Sequence, residues 1–230
     1  MTHPHAISRR GFLAAAATSA AALGLSACSA TGSEPGASPA TTAPASTSTS
    51  STTASGYVID GVDYAKGTHH ATIEVEGYGT MSLELFATNT PVTVGNFCKL
   101  ASEGFYDALT FHRIIKGFMI QGGDPKGDGT GGSNQTIVGE FSSNGHPNPI
   151  SHERGTISMA RSSAPNSASS QFFIMQEDTP SLDGDYAAFG HVTEGIEVVD
   201  AICDAARPVD GNGTIPADQQ PRIASVKLVD

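Results

Sequence analysis

The chain has 230 residues, 38% of them hydrophobic and 15% charged, with 12 Lys and Arg against 23 Asp and Glu for a formal charge of −11. So acidic a balance disfavours nucleic acid, whose phosphates call for a basic face, and serves solubility instead. Three cysteines, Cys28, Cys98 and Cys203, make no disulfide framework, and without CxxC spacing they argue against a structural zinc site.

Ser8-Arg9-Arg10-Gly11-Phe12-Leu13 resembles the twin-arginine export signal, with a mild, alanine-rich run from Phe12 to Leu25 that is too short to span a bilayer. Removing Arg9 and Arg10 with an acid-free leader leaves 10 basic against 23 acidic residues, or −13. Leu25-Ser26-Ala27-Cys28 resembles the lipobox of bacterial lipoproteins, in which cleavage precedes the cysteine and acyl chains on it anchor the protein. The expectation is a signal peptide over 1–27 and a lipid anchor on Cys28 at the outer face of the bacterial membrane. The alternative is ordinary cleavage near Ala27 and release. Residues 28–56 are almost entirely Ser, Thr, Ala, Pro and Gly, a composition that cannot offset the entropy of ordering, and read as a tether. Residues 57–230 remain for one folded domain, ample for a core.

Alternation in Ala71-Thr72-Ile73-Glu74-Val75-Glu76 and Met81-Ser82-Leu83-Glu84-Leu85-Phe86, around Gly77-Tyr78-Gly79, predicts a β-hairpin with one buried face. The period then changes: Thr90-Pro91 offers an N-cap and first helical residue, Val94, Phe97, Cys98, Leu100 and Ala101 form a stripe, and Gly104 closes the helix. Asp124 to Asn134 is glycine-rich and predicts a long surface loop. Its Gly127-x-Gly129-x-x-Gly132 opens no helix, so it is no dinucleotide site. Its Asp124-x-Lys126-x-Asp128-Gly129 is a poor calcium loop, since Lys126 replaces a ligand and Gln135 stands where a bidentate Glu is needed. Short apolar stretches at 155–160, 171–176 and 186–192 predict strands, Ile196, Val199, Ile202 and Cys203 a second helix, and 223–229 a final strand. The pattern is all-β with two helices. Cys98 and Cys203 fall on helical stripes, where a free thiol serves as a small hydrophobe.

Arg113 is the anomaly. It cannot be neutralised, yet it sits in Phe111-His112-Arg113-Ile114-Ile115-Lys116-Gly117-Phe118-Met119-Ile120-Gln121-Gly122-Gly123-Asp124 among apolar neighbours, so it either points to solvent or has polar partners or a ligand. That stretch, with Ser170-Gln171-Phe172-Phe173-Ile174, Leu182-Asp183-Gly184 and Phe189-Gly190 downstream, resembles the two signatures of the cyclophilins, the cyclosporin-binding peptidyl-prolyl cis-trans isomerases. The resemblance covers roughly residues 68–230. It implies a closed eight-stranded antiparallel β-barrel capped by a helix at each end, and rotation about X-Pro bonds in exported or unfolded polypeptides by a monomer without cofactor or metal. By resemblance Arg113, Gln121 and Phe118 are catalytic, while Met119, Ala160, Arg161, Gln171, Phe173, Leu182 and Tyr186 bind substrate, beside a glycine-rich loop at Gly129-Thr130-Gly131-Gly132. Two departures stand out: Tyr186 replaces a histidine common in eukaryotic members, and Ser181 stands where cyclosporin-sensitive members carry a tryptophan, in a chain with no tryptophan at all. The competing function is a non-catalytic proline-binding or chaperone-like module at the membrane surface. His112 reads as a buried structural residue, and no nucleophile motif supports hydrolysis.

Overall fold

The computed structural model describes residues 56–230. The export signal, Cys28 and most of the tether lie outside the described residues. Two short paired strands, β1 (Val58–Ile59) and β2 (Val62–Asp63), precede the main sheet. The hairpin follows as β3 (Thr68–Val75) and β4 (Gly79–Phe86), and its alternation sends Ala71, Ile73, Val75, Met81, Leu83 and Leu85 into the core.

Helix α1 (Pro91–Ser102) begins after Thr90, as its sequence predicts, but the Thr90 hydroxyl donates back to the Phe86 carbonyl and caps nothing. The amides of Val92 and Thr93 instead donate to the Glu140 carboxylate at 3.1 and 2.8 Å, joined by the Thr93 hydroxyl at 2.6 Å. A buried anion at the positive end of the helix thus does what a local cap would do. At the other end Gly104 takes φ +69° and its N–H bonds to the Ala101 carbonyl, the conformation a residue without Cβ adopts readily.

The remaining elements are β5 (Thr110–Ile115), β6 (Met119–Asp124), β7 (Thr156–Met159), β8 (Phe172–Met175), β9 (Ala188–Glu194), α2 (Ile196–Ala205) and β10 (Ile223–Leu228). Phe97, Tyr106, Phe111, Phe172 and Phe189 form an aromatic centre, with Phe97 5.7 Å from Phe172 and 5.3 Å from Phe189 between ring centroids. Val198, Val199, Ile202 and Cys203 of α2 join the same core. Cys98 and Cys203 are free and buried, and burial raises both thiols, Cys203 to about 12. Among the described residues no helix is long and apolar enough to cross a membrane.

Eight strands pair antiparallel in the order β10-β3-β4-β9-β7-β8-β6-β5, and the ladder stops there. The closed barrel is therefore corrected to an open, half-barrel sheet. The free side of β5 meets not β10 but the segment 213–222, through isolated bridges Arg113–Thr214 and Thr110–Arg222. That segment contains Pro216 and Pro221, which have no N–H to donate, so a continuous ladder cannot form along it.

Candidate active site

Alternation along the strands sorts two sets of side chains. In β8, Phe172 and Ile174 enter the core, while Phe173 and Met175 emerge on the opposite face beside Met119 of β6. A second apolar cluster results, made of Met119, Phe173, Met175 and Leu182, with Phe118, Ile115, Ala160 and Tyr186 against it.

A bulge brings a charge to this face. Phe111 pairs with Gly122 and Arg113 with Gln121, so one extra residue, His112, is accommodated in β5 between them. The bulge lets Phe111 and Ile114 both face the core and aims Arg113 alongside Gln121. Arg113 is half-buried. Its Nε donates to the Asn212 carbonyl at 2.8 Å, and its Nη1 to Gln121 Oε1 at 3.1 Å and toward Met119 Sδ at 3.9 Å. Burial lowers its pKa, but from so high a starting point that the group stays charged. The Asn212 carbonyl arrives on a tight loop. Gly213 takes φ +87°, and a Cβ there would stand 2.6 Å from the Ile114 carbonyl.

Behind Gln121 the polar chain continues. Gln121 Nε2 donates to Gln171 Oε1 at 2.9 Å, and Gln171 Nε2 donates to the carbonyls of Gly129 and Gly131 at 3.1 and 2.8 Å. That glycine-rich loop is wound about Asp124, whose buried carboxylate accepts the amides of Lys126, Asp128 and Gly129. The Ala160 amide donates to the Gln171 carbonyl, and the Arg161 guanidinium lies over the Tyr186 ring. The ten residues picked out within 113–186 thus gather on one face of the sheet.

Other members of the site escaped the sequence reading. His152 is fully buried, stacked 5.9 Å from Phe173 at 17°, with Nδ1 2.9 Å from Asp183 Oδ1 and Nε2 3.0 Å from Ser158 Oγ. Its N–H donates to the same Asp183 oxygen and its carbonyl accepts from Thr179, so it clamps the turn that carries Leu182. Burial lowers the His152 pKa, against the pull of Asp183. Burial would raise the Asp183 carboxyl, but the hydrogen bonds it accepts from His152 and Ser151 together hold it low. With Nδ1–H donating to Asp183, the other nitrogen accepts from Ser158. Asp183 lies in the recognised Leu-Asp-Gly stretch, the one local signal of this clamp. Met175 was legible too, two residues beyond Phe173 on one face of a strand. Nothing local marks Asn212 or His152. His112 is buried as expected, its ring nitrogens have no partner among the described residues, and burial lowers its pKa.

Residues 70–228 match the family model described as cyclophilin type peptidyl-prolyl cis-trans isomerase/CLD. The chain belongs to the cyclophilin-type peptidyl-prolyl cis-trans isomerases. Among curated relatives, the peptidyl-prolyl cis-trans isomerase of Helicobacter pylori (strain 26695) is 45% identical over 148 residues, covering 64% of this chain and 86% of its own. Peptidyl-prolyl cis-trans isomerase B of Bacillus subtilis is 48% identical over 123 residues, covering 54% and 82%. A crystal structure of a Cryptosporidium parvum cyclophilin type isomerase, in the presence of the dipeptide Ala-Pro, superposes with a TM-score of 0.62 at 32% identity over 70% of this chain and 99% of that one.

Proposed function

We propose that this cyclophilin-type isomerase turns X-Pro bonds of exported or unfolded polypeptides by seating the proline ring on Phe118, Met119, Phe173 and Leu182 while Arg113 donates to the amide nitrogen. Rotation is opposed by a barrier of about 18–20 kcal/mol because the nitrogen lone pair is delocalised into the carbonyl. No bond need break. As the amide twists the lone pair localises on nitrogen, and a donor fixed there stabilises the twisted form more than the planar one. The observation that carries the reading is Arg113 itself, a permanent cation held by Asn212 and Gln121 at the border of an apolar cluster. Gln121, Gln171 and the backbone of Ala160 and Arg161 hold the peptide on one side while the other turns, and Tyr186 supplies an aromatic wall. The Ala-Pro dipeptide present with the Cryptosporidium parvum relative is the kind of unit this seat would take.

A proline-isomerisation assay on the full chain beside Arg113→Ala tests it. We expect kcat/KM to fall by about 10²–10³, and an unchanged value would overturn the role of Arg113. The same protein acts, in this reading, as a monomer at the extracytoplasmic face of the membrane, exported through the signal around Arg9-Arg10, anchored by acylated Cys28 and extended on the tether 28–56, with the domain spanning 57–230. Cell fractionation of Cys28→Ala tests the anchor: release from the membrane is expected, and firm retention of a fully processed variant would refute it.

A further inference from the structure

The outer apolar cluster borders on Ala160, and the next residue carries a charge under tight restraint. The Arg161 guanidinium carbon lies 4.9 Å from the Phe141 ring centroid and 4.8 Å from that of Tyr186. Its Nε donates to the Asp185 carbonyl at 2.9 Å, and Nη1 to the carbonyls of Ser162 and Ser163 at 3.0 and 3.4 Å. Backbone carbonyls satisfy N–H groups without cancelling charge. Arg154, by contrast, pairs with Asp200 at 2.6 Å, and Arg222 faces Glu76 at 3.9 Å. Among the described residues Arg161 makes no ion pair, and its Nη2 has no hydrogen-bond partner. The neighbouring Asp185 carboxylate is engaged by the Ser143 hydroxyl at 2.8 Å.

This charge stands one ring from the proline seat. Tyr186 meets Phe173 edge to face at 5.8 Å; burial raises its hydroxyl pKa, Arg161 and Arg113 pull it down, and the Asp185 carboxylate pushes it up. We propose that Arg161 makes the isomerase select polypeptides with an acidic side chain within two residues of the proline, an inference that rests on the cluster being the proline seat. Two features make it a selector. The guanidinium is already fixed between aromatic faces, so an arriving carboxylate meets a donor with little side-chain freedom left to lose. It also makes no ion pair among the described residues, in a chain whose net charge of −11 disfavours acidic peptides overall.

The test compares kcat/KM of the full chain for matched peptides bearing Glu, Gln or Lys at each of two positions on either side of proline, at low and high salt. We expect Glu to exceed Gln by about two- to fivefold at low salt at one of those positions, the range of a partly exposed charge pair. Lys should be disfavoured there, and added salt should shrink both effects. The Glu-to-Gln ratio should fall to one in Arg161→Gln and be partly kept in Arg161→Lys. An unchanged ratio in Arg161→Gln overturns the proposal. So does an equal loss on every peptide, which would mean that Arg161 only braces Ser162 and Ser163. Should Arg161→Gln fail to fold, the parent decides, since a ratio insensitive to salt overturns the proposal by itself. A parent that turns over no peptide would sink the isomerase reading alone, and competition binding of the Glu and Gln peptides would then decide this one.

Discussion

Replacing Asp183 by alanine tests whether the proposed proline seat is held from behind by His152. The change removes two contacts from His152, its amide at 2.7 Å and its Nδ1 at 2.9 Å, and leaves a fully buried imidazole N–H without its acceptor. Hydrogen bonds to a charged group contribute about 1.5–3 kcal/mol each, and an orphaned buried donor costs about 1–3 kcal/mol. The Asp183 side chain is 34% exposed, so water replaces part of what is lost. A stability loss of about 1–3 kcal/mol is therefore expected from urea unfolding. The damage should spread to function in a particular way. Leu182 sits on the turn that Asp183 ties to His152, and loosening it weakens ground-state and transition-state binding alike, so KM rises while kcat changes little. Asp183→Asn, which keeps an acceptor oxygen, should lose less on both counts. A third readout is the His152 titration by NMR. Asp183 raises that pKa against burial, so its removal should move the midpoint lower still. Unchanged stability together with an unmoved midpoint would refute the clamp.

Two further predictions follow from the same geometry. His112 and His152 are buried and their pKa values are lowered, so both folded and unfolded states are neutral above the unfolded value of about 6.5 and stability there is complete. As pH falls below about 6.5 the unfolded chain takes up protons first, and each group removes up to about 1.4 kcal/mol per pH unit until its folded pKa is passed. Urea unfolding across this range should show the decline before any carboxylate titrates, and a flat profile would contradict the burial of both rings. Ser181 is exposed on the turn before Leu182, at the position where the family resemblance puts the tryptophan of cyclosporin-sensitive members. Ser181→Trp should tighten cyclosporin inhibition by about tenfold to a hundredfold, a gain of roughly 1–3 kcal/mol from an aromatic wall and one hydrogen bond. Equal inhibition of parent and variant would show that this position is not the determinant.

Much of the chain could be read before it was folded, because its strongest signals are local. Period-two alternation marked the hairpin of Ile73 and Leu83, and Pro91 and Gly104 bracketed α1 with chemistry that acts within one turn. The ordered stretch from Phe111 to Asp124, with the second motif around Phe173 and Leu182, carried the family, and the resemblance pointed from there to Arg113 and to the side chains of the proposed proline seat. What the sequence alone left undecided depends on residues far apart in the chain. The N-terminus of α1 is capped by Glu140 and not by the adjacent Thr90, because a buried carboxylate from another segment reaches two amides and a hydroxyl at once. The sheet stays open because the segment beside β5 carries prolines that cannot complete a ladder, a fact of pairing that alternation cannot reveal. Arg113 owes its aim to a bulge at His112 and to a carbonyl 99 residues away. Periodicity determines which face a side chain prefers, whereas its partners are set by what the fold carries to the other side of that face.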